Sequence, residues 1–182
     1  MQIRKATIHD WKEIAHVHVD CMRSAYRNVF PSETIEKITY SDRERRWQND
    51  LPKTIQGGTM NFVAVNKQEK IVGFSLGGTM RDARLRIGYT GELYGLYVHP
   101  HAQGQSLGLK LFESVAHHLV SLHHSSMALW TFQHHDSCSF FHHLNGKEVY
   151  KKNTTIGGKD LEEIAFGWDN IATLSQHRDN LN

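Results

Sequence analysis

Hydrophobic side chains return every three or four positions between residues 11 and 29, a spacing that is typical of an amphipathic helix. Thr7 or Asp10 can cap its N-terminus through a side-chain oxygen, and Pro31 is expected to end it. A second helical region is predicted over residues 32–50. After a short first strand, the N-terminal part of the chain is therefore predicted to be helical.

Pro52 is expected to break the second helix, and short runs follow in which apolar and polar side chains alternate. These runs predict strands over residues 61–66, 70–77, 87–98, 127–132, 148–152 and 161–168. Two helices interrupt the series, one after a glycine-bearing loop and one over residues 137–144. Asp136 is the natural N-cap of the latter, and Asn145-Gly146 is its natural stop.

Length, composition and charge fit a single domain that binds neither nucleic acid nor a membrane. The 182 residues are 39% hydrophobic, and 21 Lys and Arg against 19 Asp and Glu give a net charge of +2. This charge is too small for the basic surface of a nucleic-acid-binding protein. No apolar run approaches the roughly 18 residues of a membrane helix, so we expect a cytoplasmic protein. We predict one domain over residues 1–168 and a polar, frayed tail over residues 169–182.

A buried-looking strand at residues 92–98 runs through a glycine-bearing loop directly into an amphipathic helix. The first N–H groups of a helix have no partner within it, so a loop with little side-chain bulk lets a phosphate reach them. The loop lacks the lysine followed by Ser or Thr of a nucleotide-triphosphate loop. It also lacks the G-x-G-x-x-G pattern of a dinucleotide site. The segment therefore indicates a different phosphate-bearing ligand.

This loop resembles the pyrophosphate loop Q/R-x-x-G-x-G/A of the GNAT superfamily of acyl-CoA-dependent N-acyltransferases. Its residues are Gln103, Gly104, Gln105, Ser106, Leu107 and Gly108. The L-Y-V-x-P strand end before it is also common in that family, although Ser106 stands where the family has its middle glycine. The run around His18, Arg23 and Tyr26 resembles the H-V-x-S-W-R-x-x-Y of a bacterial subgroup, with Cys21 and Met22 replacing the serine and tryptophan.

The resemblance implies an α/β (α+β) fold in which a central mixed, mostly antiparallel and splayed sheet is flanked by helices. It implies acetyl-CoA as cosubstrate, bound by the six loop residues and by the backbone of Leu96, Tyr97 and Val98. The N–H of Val98 would then stabilise the oxyanion of the transition state. His134 and Phe141 occupy the asparagine and tyrosine positions of the family's N-x-x-A-x-x-F-Y helix, and so are assigned to the cofactor site.

Glu92 is the leading candidate for the catalytic base that deprotonates the amine. It lies on the same strand, eleven residues before Gln103, which resembles the placement of the catalytic glutamate in the family's histone acetyltransferases. A partly desolvated glutamate can act directly or through water. The alternative is that Glu92 is a half-exposed strand residue paired with an arginine such as Arg84 or Arg86.

The usual general acid is missing, because Phe141 cannot donate a proton. Either the thiolate leaves unassisted, which its pKa of about 8.5 allows, or a neighbouring group replaces the tyrosine. The candidates are His134, His142, Tyr94 and Tyr97. A protein that binds acyl-CoA as a sensor, without catalysis, is the competing hypothesis.

Arg23, Tyr26 and Tyr94 are the candidates for contacting the amine acceptor, and the acidic Glu162 and Glu163 can also face an amine. Helix packing for Tyr26 and a solvated or ion-paired role for Arg23 are the alternatives. The acceptor itself stays open among polyamines, amino acids, aminoglycosides and protein amino groups. A homodimer is compatible with the fold, and no residue pattern specifies one.

The chain has 14 histidines, many of them in adjacent pairs. Neighbours in sequence do not share a face of a helix, and no H-E-x-x-H or zinc-type spacing is present, so we expect no metal. A histidine-bound metal is the third hypothesis.

The resemblance therefore implies a bacterial-type N-acetyltransferase that moves an acetyl group from acetyl-CoA to a primary amine by direct attack in a ternary complex.

Overall fold

The computed structural model describes residues 1–174 and builds them around one seven-stranded sheet. The strands are β1 (Gln2–Lys5), β2 (Met60–Val65), β3 (Ile71–Thr79), β4 (Gly91–Val98), β5 (Met127–Phe132), β6 (Lys147–Ile156) and β7 (Lys159–Trp168). The helices are α1 (Trp11–Ala25), α2 (Ser32–Glu36), α3 (Tyr40–Gln56), α4 (Leu107–Ser121) and α5 (Ser137–His143). Among these helices, none has the length and apolar character needed to cross a membrane.

The strands follow the order β1-β2-β3-β4-β5-β7-β6 across the sheet, and all neighbours are antiparallel except β4 and β5. That parallel pair is joined only at Gly91 with Met127 and at Glu92 with Ala128. Beyond Glu92 the two strands are unpaired with each other, which leaves a gap between them. The predicted mixed, mostly antiparallel and splayed sheet is thus confirmed.

A β-bulge at Tyr94 sets which side chains of β4 face each side of the sheet. The register places Gly95 opposite Leu76 and Leu93 opposite Gly77, so Tyr94 is the extra residue. Leu93 therefore packs with the core under α4, and Tyr97, beyond the bulge, packs with the core under α1 and α3.

Two hydrophobic cores hold the helices to opposite faces of the sheet. α4 packs Phe112, Val115 and Leu119 against β5 and β7, whereas α1 and α3 pack Ile14 and Leu51 against β2 and β3. Burying apolar surface of this kind contributes about 25 cal/mol per Å². The gap between β4 and β5 consequently lies between two rigid layers.

The structure corrects the predicted helices in three places. Residues 32–50, predicted as one helical region, are divided between α2 and α3, which residues 37–39 separate. Pro52 does not break α3, which continues to Gln56, because Trp47 and Leu51 bury their side chains and hold the helix across the missing N–H. The first long helix ends at Ala25 rather than near residue 29. Thr7 and Asp10 form a capping box at a short 3-10 turn over residues 8–10, where the Thr7 N–H donates to Asp10 at 2.7 Å, and Asp10 makes no side-chain cap on α1 itself.

The predicted strand starting at Ile87 begins only at Gly91, because residues 82–89 form turns and Ile87 is 96% exposed. The core also extends past residue 168: Ile171 is 0% exposed and its N–H donates to the carbonyl of Ser125. The tail is therefore packed at its start, and residues 175–182 lie outside the described residues.

His18 is a partly buried residue that should make the free energy of unfolding depend on pH. Its Nδ1 accepts a hydrogen bond of 3.1 Å from Trp47 Nε1, and burial together with the charge of Arg43 lowers the pKa of His18 to about 3 from 6.5. The unfolded chain therefore binds a proton that the folded chain excludes between these pH values. Stability should be intact above pH 6.5 and fall by roughly 2–3 kcal/mol by pH 4.5.

Urea unfolding of the wild type and of His18→Gln at pH 7 and pH 4.5 checks this expectation. Glutamine can still accept the Trp47 hydrogen bond but does not protonate, so the variant should lose less stability than the wild type between the two pH values. Equal losses would show that other groups account for the acid sensitivity.

Candidate active site

The backbone of β4 turns polar groups toward the gap at alternate residues. The N–H of His99 bonds to the carbonyl of Val72, and the register continues with Tyr97 opposite Phe74. Because hydrogen-bonded pairs alternate along an antiparallel ladder, Tyr97 bonds toward β3, and Leu96 and Val98 point their N–H and C=O groups toward β5. The backbone of Leu96 and the N–H of Val98 can therefore reach a ligand in the gap, whereas the carbonyl of Val98 is bonded to the Gln103 side chain. The backbone of Tyr97, by contrast, is occupied in the sheet.

The glycine-bearing loop has the left-handed turns that aim a helix N-terminus at this gap. Gly104 has φ +74°, and Ser106, which precedes the first residue of α4, has φ +56°. The side-chain amide of Gln103 donates to the carbonyl of Val98 at 3.1 Å, which ties the loop to the end of β4. Leu107 is buried and docks the helix, and Gln105 is exposed. The first N–H groups of α4 are thus held beside the open end of the gap.

Ser106 adopts a backbone conformation that costs an L-residue about 1–2 kcal/mol. This cost explains why a glycine suits the position. Replacing Ser106 with glycine should raise the free energy of unfolding by about 0.5–1 kcal/mol, after allowing for the greater freedom of glycine in the unfolded chain.

Chemical unfolding of Ser106→Gly beside Ser139→Gly measures this effect. Ser139 is exposed on α5, so the same substitution there should destabilise the protein. A loss of stability in both variants would contradict the assignment of backbone strain to Ser106. Acetyl-CoA affinity of Ser106→Gly should be no lower than that of the wild type.

Glu92 lies at the last position where β4 pairs with β5, at the closed end of the gap. It is only 5% exposed, and both carboxylate oxygens accept hydrogen bonds from Arg81: the backbone N–H at 2.8 Å and Nη2 at 2.9 Å. The arginine partner is thus Arg81, not Arg84 or Arg86, and the residue is buried rather than half-exposed. Since Leu93 faces α4, Glu92 faces the other side of the sheet.

Tyr26 forms part of the wall across from β4, at the end of α1. Its ring stacks on Phe30 at 4.6 Å, meets Phe132 of β5 edge-on at 5.7 Å, and lies 4.9 Å from the ring of His135. Burial raises the pKa of the Tyr26 hydroxyl above its usual value of 10.0, so the group stays neutral. The structure therefore places Tyr26 in the wall between α1 and the end of β5.

Most groups considered as substitutes for the general acid are engaged elsewhere. The hydroxyl of Tyr94 donates to the carbonyl of Thr79 at 2.7 Å, and His142 pairs with Glu148 at 3.2 Å.

Phe141 is 5% exposed and packs on Phe166 and Trp168, so it belongs to the core. The aromatic ring of α5 nearest to Gly108 is that of Phe140, which corrects the assignment of Phe141 to the cofactor site.

His135, which the sequence did not single out, lies where His134 was expected to act. His134 is exposed, whereas His135 is half-buried beside Tyr26. The Nδ1 of His135 is 2.7 Å from Ser137 Oγ, which in turn is 2.9 Å from Thr131 Oγ1. Only tertiary structure distinguishes the two adjacent histidines, because they sit in one turn after β5. Asp136, between them and α5, makes no side-chain cap.

Arg23 and the acidic pair on β7 are tied into the structure. The guanidinium of Arg23 donates twice to the carbonyl of Ile38, at 3.0 and 2.7 Å, which joins α1 to the start of α3. Glu162 pairs with Lys151 of β6 at 3.3 Å, and Glu163 pairs with Lys152 at 2.9 Å.

In residues 1–174 no group of three or more His, Cys, Asp or Glu side chains is placed to hold a metal ion.

Three comparisons with known proteins bear on this site. The FR47-like protein family matches residues 71–155, which include β3, β4, the loop and α4. A curated relative from Bacillus subtilis (strain 168), named "Uncharacterized N-acetyltransferase YuaI", is 30% identical over 172 residues. The alignment covers 94% of this chain and 95% of the relative.

Solved structures of acetyltransferases share the fold at low sequence identity. The PaiA N-acetyltransferase of Thermoplasma acidophilum, in complex with coenzyme A, has a TM-score of 0.68 at 17% identity, covering 92% of this chain and 98% of that one. YncA of Salmonella typhimurium, with its cofactor acetyl-CoA, has a TM-score of 0.68 at 18% identity, covering 92% of each chain. An N-acetyltransferase of Staphylococcus aureus Mu50 has a TM-score of 0.71 at 14% identity, covering 93% and 98%.

Proposed function

Because the chain belongs to the GNAT superfamily of N-acetyltransferases, we propose that it moves an acetyl group from acetyl-CoA to a primary amine by direct attack in a ternary complex. The observation that carries this proposal is the gap between β4 and β5 with a helix N-terminus at its open end. A pantetheine arm needs a row of unpaired backbone groups, and its pyrophosphate needs unpaired N–H donors. Both occur in one continuous segment of this chain.

Acetyl-CoA fits the residues around the gap. The N–H and C=O of Leu96 would bond a pantetheine amide, and the loop from Gln103 to Gly108 would bind the pyrophosphate at the positive end of the α4 dipole. In this arrangement the pantetheine arm enters from the loop and follows β4 in the direction of Glu92, which lies at the closed end of the gap. We assign oxyanion stabilisation to the N–H of Val98, a type of contact worth about 3 kcal/mol in the transition state.

The chemistry begins with the loss of a proton from the acceptor ammonium, whose pKa is about 10. Glu92 faces the sheet side opposite α4, and we assign it this proton, directly or through water. The amine nitrogen then attacks the thioester carbonyl, a C–N bond forms, and the C–S bond breaks. The sulfur leaves as CoA thiolate and takes up the second proton, which the nitrogen releases as the amide forms, while Glu92 returns the first proton to solvent. The products are an N-acetylamine and CoA.

No dedicated acid is required for that last step, because a thiol of pKa about 8.5 is a fair leaving group at neutral pH. Tyr97 and His135 are the remaining candidates near the gap, since Tyr94 and His142 are bonded elsewhere. Burial raises the pKa of Tyr97 above 10.0, so its hydroxyl is neutral and can donate a proton.

Amine-dependent release of CoA thiol, followed with a thiol reagent over a panel of primary amines, tests the proposal. Enzymatic transfer should give thiol release that depends on both the amine and the protein, with one acetylated product per CoA. Tight acetyl-CoA binding without turnover for any amine would instead support a non-catalytic sensor.

A further inference from the structure

A cavity of about 140 Å³ lies where α2 meets α3, and its lining has an unbalanced charge. The lining residues are Thr34, Lys37, Ile38, Thr39, Asp42, Arg43 and Arg46. The carboxylate of Asp42 is already occupied, because it accepts hydrogen bonds from Thr39 Oγ1 at 2.8 Å and from Arg45 Nη2 at 3.0 Å. Three cationic side chains therefore share the cavity with one carboxylate that is bonded elsewhere.

None of the three cations forms an ion pair with any residue between 1 and 174. Arg43 is half-buried, and burial together with the neighbouring Arg46 charge lowers the pKa of its guanidinium. A partly desolvated guanidinium such as that of Arg43, next to the exposed charges of Lys37 and Arg46, is costly without a counter-charge beyond Asp42. An anion of a few atoms fits the space, since a water molecule in the liquid occupies about 30 Å³.

Packed side chains of α3, α1 and β4 lie between Arg43 and the gap. Trp47 lies one turn further along the same face of α3, and its indole N–H bonds to His18, whose ring is 4.7 Å from that of Tyr97. The charge of Arg43 acts on both His18 and Tyr97. Tyr97 stands between Leu96 and Val98, the two residues whose backbone faces the gap. An anion at Arg43 would therefore lie on the face of the sheet opposite α4, which Glu92 also faces.

The turn between β6 and β7 lies against the connection from α1 to α2 and narrows the approach to the cavity. Lys159 Nζ donates to the carbonyl of Val29 at 3.0 Å, and a side chain on Gly157 would collide with Thr34 of α2. The connection from α1 to α2 is thereby covered by the β6–β7 turn. A small molecule can enter such a space more readily than a folded segment of another protein.

We propose that the acceptor is a small primary amine that also carries a carboxylate or phosphate group, and that Arg43, with Lys37 and Arg46, binds that group. The inference rests on the proposed acetyl transfer and names the substrate class for the same site. Guanidinium groups suit both anions through paired, charge-assisted hydrogen bonds.

Two matched pairs of amines test the preference and separate the two anions. O-Phosphoethanolamine is compared with ethanolamine, and β-alanine with β-alaninamide, in acetyl transfer by the wild type, Arg43→Gln and Lys53→Gln. Lys53 is the matched control, because it is on the same helix, is 75% exposed and pairs with Asp50 away from the cavity. For the wild type, kcat/KM should be at least about tenfold higher for one anionic amine than for its neutral partner.

Arg43→Gln should remove most of that preference by raising KM for the anionic amine, with the neutral amine unchanged, and Lys53→Gln should retain it. Equal rates for anionic and neutral amines in the wild type would overturn the inference and leave acetyl transfer intact. If Arg43→Gln loses activity toward both amines while Lys37→Gln keeps the full preference, Arg43 has a structural role. That result would also overturn the inference.

A binding measurement keeps the inference testable if no amine is acetylated. Inorganic phosphate is titrated calorimetrically into Gly108→Glu protein, in which the loop at α4 is closed to anions, and into the same protein carrying Arg43→Gln. Binding in the first and a loss of at least about tenfold in the second would support the anion site independently of catalysis. Identical binding in the two proteins, or none in either, would contradict it.

Discussion

Replacing Gly108 with glutamate is expected to weaken acetyl-CoA binding by about 100-fold or more, because two like charges about 4 Å apart near a protein surface repel by several kcal/mol. The new carboxylate would occupy the first turn of α4, where we place the pyrophosphate. The fold should tolerate the change, since a Cβ at this position would lie an ordinary 3.5 Å from Phe140 Cζ. A negative charge near a helix N-terminus also favours the helix.

Isothermal titration with acetyl-CoA measures this effect, and Gly88→Glu is the matched control. Gly88 lies in the turn before β4 and has open space around its Cα, so the same substitution there should leave the affinity unchanged. If Gly108→Glu binds acetyl-CoA as tightly as the wild type does, the phosphate site is not at α4.

Replacing Glu92 with glutamine is expected to lower kcat by about 100-fold or more while KM for acetyl-CoA stays nearly constant. The amide has the shape of the carboxylate but cannot take the proton of the ammonium. Raising the pH toward the amine pKa of about 10 should recover part of the rate, since solution then supplies free amine. Steady-state kinetics from pH 7 to pH 9.5 would show this recovery.

Arg81→Gln separates a catalytic role for Glu92 from its role in the ion pair. The Arg81 side chain is 61% exposed and bonds both carboxylate oxygens, and its replacement breaks the side-chain pair but keeps the base. We expect Arg81→Gln to retain most of the activity. Equal losses in the two variants, without recovery at high pH, would assign Glu92 a structural role.

The features that depend on local pattern were the ones that the sequence predicted well. The bounds of β5 agree with its alternating run, and the Asn145-Gly146 stop is present, with Asn145 at φ +58° and the N–H of Gly146 bonded to Phe141. Local chemistry alone is enough for such features.

Features that depend on distant segments were missed or misplaced. The bulge at Tyr94 is set by pairing with β3, and the partner of Glu92 became Arg81 because the turn after β3 brings that residue's N–H and side chain to it. Pro52 stays helical because its neighbour Leu51 is buried in a core that the sequence of α3 alone does not reveal. His135 replaces His134 beside Tyr26 for the same reason.

A thermal melt with and without acetyl-CoA tests the central claim most directly, with ATP and NAD at equal concentration as controls. At 100 times its dissociation constant, acetyl-CoA should stabilise the fold by about 2.7 kcal/mol, and the melting temperature should rise with acetyl-CoA but not with the controls. A melting temperature unchanged by acetyl-CoA, or raised equally by all three nucleotides, would contradict the assignment of the gap and loop as an acetyl-CoA site.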